Sequence, residues 1–118
     1  MAQIGNNYEE VPKLTMYIMA SQAFDAEIQF SSLIDLDCII TCSVRNRQGV
    51  EVLRFEEDAG LVFSSDAGTV GLIATAAQTS KLLDHVSLQY DIRVVPTGDS
   101  PFYVVRGSVI VQEAITRT

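Results

Sequence analysis

The sequence is short of the residues on which most catalytic sites depend. Its 118 residues include no tryptophan, one histidine and two cysteines. The single histidine, His85, excludes a metal site built from several histidines, and no GxSxG elbow presents a nucleophilic serine. The phosphate-binding patterns GxxxxGK[ST] and GxGxxG are also absent. We therefore predict a chain without catalytic activity, cofactor or metal.

Basic residues are scarce as well. Eight lysines and arginines stand against 15 aspartates and glutamates, which gives a formal net charge of −7. This charge repels phosphate backbones and anionic lipids. No apolar run approaches the roughly 20 residues that span a bilayer, and the polar N-terminal MAQIGNNYEEVP does not resemble a secretory signal. We expect no nucleic-acid or membrane partner, and a protein that is made and folded in the cytoplasm.

The two cysteines predict buried core residues, not a disulfide. Cys38 and Cys42 lie four residues apart in DCIITCSV. On a strand this spacing places them on one face but about 13 Å apart, which is too far for a disulfide bond.

The composition itself predicts a folded domain. The chain is 47% hydrophobic and 19% charged, which is typical of globular proteins. Residues 1–12 show no sustained period and predict an extended N-terminal arm. We predict that residues 13–118 form a single domain.

Alternating apolar and polar residues predict β-strands in several segments. The pattern is clearest in FDAEIQF, CIITCSVR and QYDIRVV. The turn NRQG, with Gly49 available for a positive φ, predicts a hairpin over residues 37–55. Gly107, near the middle of FYVVRGSVIVQEAI, predicts a bulge or bend at that point.

One stretch departs from the strand pattern. TAAQTSKLLDH predicts a short helical segment near residues 76–84 that packs as a lid. With turn signals every eight to twelve residues elsewhere, the pattern indicates an all-β fold. We predict an antiparallel β-sandwich of seven or eight strands.

Acidic residues cluster beside predicted turns. Residues 56–58 read EED, with Asp66 nearby, while Asp35 and Asp37 lie in IDLD. Their spacing does not match a calcium-binding EF-hand loop. A role in turn formation and solvation is therefore the stronger interpretation.

Two segments are predicted to contact partners, because loops and termini lie at the surface. One is the N-terminal arm and the other is the turn PTGDSP with the start of the strand that follows. The predicted contact residues are Asn6, Asn7, Tyr8, Val11, Pro96, Asp99 and Phe102.

The order of several short motifs extends over nearly the whole chain, roughly residues 14–118. The segments are LIDLDCIITCSVRNRQGVEV, TVGLIATAAQTSKLLD, YDIRV and VVRGSVIVQEAITR. In this order they resemble the β-sandwich domain of tailed-phage virion proteins: the N-terminal domain of siphophage upper baseplate proteins, and the related domain of proximal long-tail-fibre and collar proteins. The matching residues are Asp35, Leu36, Arg45, Gly49, Thr79, Leu82 or Leu83, Tyr90, Asp91, Ile92, Gly107, Val109, Val111, Ile115, Thr116 and Arg117.

The resemblance implies a non-enzymatic structural role in a virion that is assembled in host cytoplasm. The expected position is the tail-fibre base, baseplate or collar, where the protein acts as a connector or adaptor. The expected partners are other virion proteins and further copies in a homo-oligomer. Two other functions remain open: a carbohydrate- or receptor-binding sandwich module, and a small hydrolase that depends on His85.

Overall fold

The computed structural model describes residues 11–85 and 87–113, and eight β-strands form most of this part of the chain. A capped helix and two 3₁₀ turns, Ser31–Leu33 and Lys81–Asp84, complete it. The elements are β1 (Met16–Ala20), β2 (Phe24–Gln29), β3 (Cys38–Arg45), β4 (Glu51–Glu57), β5 (Gly60–Ser64), β6 (Thr69–Ala74), α1 (Ala76–Ser80), β7 (Leu88–Pro96) and β8 (Phe102–Glu113).

The strands join into one sheet in the order β1-β8-β7-β3-β4-β5-β6-β2. Its two edge strands, β1 and β2, follow each other in the chain, and the sheet is nearly closed into a barrel. The predicted all-β class, the strand number and the short helical segment are confirmed. The division into two sandwich layers stays a prediction.

Not every strand pair is antiparallel, although the sequence pattern predicts an antiparallel arrangement. β1 pairs with β8 in parallel, and β4 with β5 in parallel over two residue pairs. β1 and β8 lie far apart in the sequence, so no hairpin turn dictates their relative direction. Between β4 and β5 the chain turns within two residues, and both Asp58 in this turn and Gly60, the first residue of β5, have positive φ.

A single hydrophobic core fills the space enclosed by the sheet. Every strand contributes its inward face, as the period-two pattern predicts. On β3 these residues include Ile40, Cys42 and Val44, and on β7 they include Tyr90, Ile92 and Val94. The alternation in the sequence therefore identified the inward positions of both strands correctly.

The hairpin predicted over residues 37–55 is confirmed. β3 and β4 pair antiparallel, and Gly49 in the turn has φ +84°. The Asn46 side chain stabilises the turn, because its Oδ1 accepts the backbone N–H groups of Gln48 and Val50, each at 3.0 Å.

The pairing of β8 with β7 is irregular at Val104, three residues before Gly107, where a bulge or bend was predicted. The register between β7 and β8 shifts so that Val104 has no Cα partner, and Val104 and Val105 are both buried. The bulge therefore lies at Val104 and not at Gly107, and the alternative prediction, a bend at Gly107, stays a prediction. A glycine is needed there because a Cβ atom would overlap the carbonyl oxygen of Leu14, in the segment that runs beside β8 at this point.

The helix α1 packs where the two edge strands meet. Thr75 and Gln78 form a capping box, in which the Thr75 hydroxyl accepts the Gln78 N–H and the Gln78 side chain accepts the Thr75 N–H. The buried Thr79 hydroxyl donates to the carbonyl of Gln22, in the connection between β1 and β2, at 2.8 Å. Leu82 in the following turn is also buried. Within the described ranges, no helix is long and apolar enough to cross a membrane.

Candidate functional site

The groups that could carry chemistry are dispersed in the structure. His85 follows the second 3₁₀ turn, where its N–H donates to the carbonyl of Leu82 at 3.2 Å. Among residues 11–85 and 87–113, no three His, Cys, Asp or Glu side chains are grouped so as to hold a metal ion. The described part of the chain therefore contains no cluster of side chains suited to a metal centre.

The cysteine thiols are not activated. Burial, together with the negative charge of Asp91, raises the pKa of Cys42 to about 12. Burial and the charge of Asp37 also raise the pKa of Cys38. Both cysteines are free, as predicted from their spacing. A protonated thiol is a poor nucleophile, so neither residue is suited to covalent catalysis.

The most distinctive feature of the surface is that side chains of opposite charge gather at the two ends of β3. The eight residues of this strand cover about 23 Å. A cavity lined by acidic residues lies at its beginning, near Cys38, and a cleft lined by basic residues lies at its end, near Arg45. We call the first the acidic cavity and the second the basic cleft.

The acidic cavity has a volume of about 750 Å³. Four carboxylate side chains line it, and none of its lining residues is basic. The apolar side chains of Val62 and Ile73, which are 61% and 48% exposed, also line it. The four acidic residues are Asp35, Asp37, Glu57 and Asp58.

Loops position the acidic groups. Asp35 has a φ of +60°, and its N–H donates to the carbonyl of Ser65 at 2.6 Å. Thr97, in the β7–β8 turn, forms two hydrogen bonds with Asp37. Its N–H donates to the Asp37 carbonyl and its hydroxyl donates to Asp37 Oδ2, both at 3.0 Å. Asp58 lies in the loop between β4 and β5 and has a positive φ. The carboxylates thus come from two segments, the one before β3 and the one that joins β4 to β5, and contacts with the β5–β6 and β7–β8 connections hold the first of these.

The basic cleft has a volume of about 630 Å³ and the opposite charge. It is lined by Lys13, Arg45, Arg47 and Arg106, and Asp91 is its one acidic lining residue. Arg45 Nη1 lies 2.9 Å from Asp91 Oδ2. Within the described ranges, the other three basic side chains form no ion pair. The cleft therefore carries a local excess of positive charge on an acidic protein.

The segment before β1 forms one wall of the basic cleft. The N–H of Leu14 donates to the Arg106 carbonyl at 3.0 Å, and the N–H of Arg106 donates to the Pro12 carbonyl at 3.1 Å. The Tyr90 hydroxyl donates to the Leu14 carbonyl at 2.7 Å. Burial raises the pKa of Tyr90 to about 12, and the adjacent Cys42 contributes in the same direction. Tyr90 is therefore a neutral donor that anchors the wall.

The predicted contact residues are distributed over several places. Asn6, Asn7 and Tyr8 lie outside the described residues. Val11 and Phe102 line one shallow cleft together, although they are distant in the sequence. Asp99 is exposed in the β7–β8 turn, where its Oδ1 accepts the Ser100 N–H at 2.8 Å.

Pro96 was predicted to be an exposed contact residue, but it is not exposed. It is the last residue of β7, it pairs with Cys38, and it is buried. The turn signal was correct, but the exposed tip begins one residue later, because β7 extends through the proline. A partner contact through the other predicted residues stays a prediction.

The two charged surfaces were not among the predicted features. Each acidic pair lies beside its own turn in the sequence, and the arginines are spread over distant segments. A usable signal was present, since IDLD precedes the predicted hairpin and RNR lies at its turn, at opposite ends of one strand. The contribution of Lys13 and Arg106 depends on long-range pairing and has no local signal.

No protein-family model matches the chain, and the comparison with curated proteins gives no match either.

Proposed function

We propose that this chain is a non-enzymatic structural protein of a tailed-phage virion, acting as a connector or adaptor at the tail-fibre base, baseplate or collar. The ordered series of motifs described above, from Asp35 to Arg117, carries the proposal. The proposal includes the finer fold assignment, in which opposite sides of the nearly closed sheet correspond to the two layers of the family's β-sandwich.

The surface of the described residues is consistent with this role. Reactive groups are dispersed, whereas charged and apolar side chains are concentrated at the two ends of β3. Large apolar side chains are also exposed on the outer face of β1 and β8, where Tyr17 pairs with Ile110. Surfaces that combine apolar area with polar groups are characteristic of protein–protein interfaces.

Mass spectrometry of density-purified particles tests this proposal. Lysates from cells that carry the gene would be fractionated, and peptides of this chain quantified against the major capsid protein. We expect a constant copy number per particle that survives repeated gradient purification. Intact particles that lack the protein would overturn the proposal.

A second candidate is a carbohydrate- or receptor-binding module. The observation in its favour is the exposure of aromatic rings, because sugars stack on such rings: Tyr17 is 61% exposed and Tyr103 is 39% exposed. Screening the purified protein on a glycan array tests this function. Specific binding that is lost in Tyr17→Ala or Tyr103→Ala would support it, and an array without specific signal would exclude the glycans tested.

A further inference from the structure

We propose that the basic cleft of one copy binds the acidic cavity end of a second copy, so that the protein associates head to tail. The inference rests on the proposed structural role, because that role makes a second copy the expected occupant. It goes further by naming the two surfaces and the direction of assembly.

Charge complementarity is the first argument. The cleft presents Lys13, Arg47 and Arg106 without ion-pair partners among the described residues, and the cavity end presents four carboxylates with no basic residue in its lining. Opposite charges across an interface increase the association rate and select the orientation of the partners. The two surfaces occur on the same chain, so each copy supplies both halves of the contact.

The net charge limits how copies can meet. A formal charge of −7 makes two copies repel at long range. An acidic end facing another acidic end would add to this repulsion, and a basic cleft facing another basic cleft would place like charges together. Contact between unlike ends therefore is the arrangement that brings opposite charges together.

Apolar side chains accompany the charges at both ends. Val62 and Ile73 line the acidic cavity and are exposed. Leu14, on the segment that walls the basic cleft, is 47% exposed, and Val50, next to the cleft residue Gly49, is 56% exposed. Burial of apolar area supplies affinity that screened surface charges do not provide alone.

The location of the surfaces determines the kind of assembly. In the proposed head-to-tail contact the basic cleft of one copy meets the acidic end of the next, so two different surfaces are joined and the contact is heterologous, in contrast to an antiparallel two-fold dimer that forms both contacts at once and stops at two copies. A heterologous contact propagates from copy to copy and gives either a closed ring or an open stack. Both forms suit a protein that connects parts of a particle.

Matched charge variants test the inference by sedimentation velocity at low and high ionic strength. The cleft variant carries Lys13→Glu and Arg47→Glu, and the acidic-end variant carries Glu57→Lys and Asp58→Asn. Asparagine is chosen at Asp58 because it tolerates positive φ. Lys81→Glu and Glu27→Lys are controls, because they alter charge on exposed residues outside both surfaces.

We expect the unmodified chain and both controls to associate at low salt and to dissociate as salt increases. Each test variant alone should associate roughly 100-fold more weakly, because the cleft variant places like charges together and the acidic-end variant loses most of the negative charge that faces the cleft. The decisive sample is the equimolar mixture of the two test variants. Each keeps one intact surface, so the mixture should form a one-to-one dimer that does not grow.

Three results would overturn the inference: an unmodified chain that stays monomeric at low salt, test variants that associate like the controls, or a mixture without dimer. Circular dichroism of every variant establishes that it is folded. Failure here is distinguishable from failure of the proposed function. A particle protein that is monomeric in solution would overturn only the head-to-tail contact, and a self-associating protein absent from particles would overturn only the virion role.

Discussion

The two ends of β3 carry opposite charge, and they are also built differently. Loops form the acidic end, and hydrogen bonds within and between turns hold its carboxylates, as Thr97 holds Asp37. The basic end lies on paired strands, and the segment from Pro12 to Leu14 runs beside β8 and bonds to Arg106 and Tyr90. The acidic end can therefore change with little effect on the fold, whereas the basic end combines binding surface with structural support.

The largest difference between the ends should appear when the segment from Pro12 to Leu14 is displaced. In Gly107→Ala the new Cβ would overlap the Leu14 carbonyl oxygen and lie 3.1 Å from the Leu14 nitrogen. Backbone atoms cannot rotate away, so the segment has to move and its hydrogen bonds are lost. We expect the free energy of unfolding to fall by about 3 kcal/mol in urea denaturation.

Gly98→Ala is the matched control for this substitution. Gly98 lies in the β7–β8 turn with a positive φ of +76°, and a Cβ added there would have no atom within 4 Å. Its cost is conformational strain alone, about 1 kcal/mol. Equal losses for the two variants would contradict the account of the close approach at Gly107.

Alkaline pH should weaken the core beneath the basic cleft. Folding raises the pKa of Cys42 from 9.0 to about 12 and that of Tyr90 from 10.0 to about 12. The folded state thus holds these protons more tightly than the unfolded state. The associated stability is fully present below pH 9 and is lost as pH rises from 9 towards 12.

Urea denaturation at pH 8, 9 and 10 measures this loss. We expect a decline approaching about 1.4 kcal/mol per pH unit above pH 9 for the first proton. Cys42→Ala removes the thiol and should flatten the decline between pH 9 and 10. An unchanged slope in this variant would show that the thiol is not the responsible group.

A smaller effect is expected from Tyr90→Phe. The substitution removes the hydroxyl that donates to Leu14 at 2.7 Å and leaves the buried ring in place. We expect a loss of about 1 kcal/mol in the free energy of unfolding. Hydrogen exchange should identify the site, because the Leu14 and Arg106 amides should exchange faster while those in β4 do not.

The smallest effect is expected at the acidic end. Thr97→Val removes an exposed hydroxyl that donates to Asp37 at 3.0 Å, while the backbone bond from Thr97 to the Asp37 carbonyl remains. We expect a change within about 0.5 kcal/mol. A loss larger than that of Tyr90→Phe would reverse the proposed difference between the ends.

Local patterns predicted much of this fold. The period-two segments identified the strands and their buried faces, as β7 shows with Tyr90, Ile92 and Val94. Gly49 and Asn46 specify a turn through their own conformational preferences, so the hairpin could be predicted from a few adjacent residues.

Features that depend on distant residues could not be predicted in this way. The parallel pairing of β1 with β8 joins residues that are distant in the sequence, such as Met16 and Val109. The role of Gly107 depends on Leu14, and the basic cleft depends on bringing Lys13 beside Arg47. Local sequence periodicity carries no information on these contacts.

The most direct test of the central claim is electron microscopy of purified particles labelled with antibodies against this chain. The account predicts label at one defined location, the neck, the baseplate or the base of the tail fibres, on most intact particles. Particles without label, in preparations where antibodies to a known tail protein do bind, would contradict the claim that this protein is a structural part of the virion.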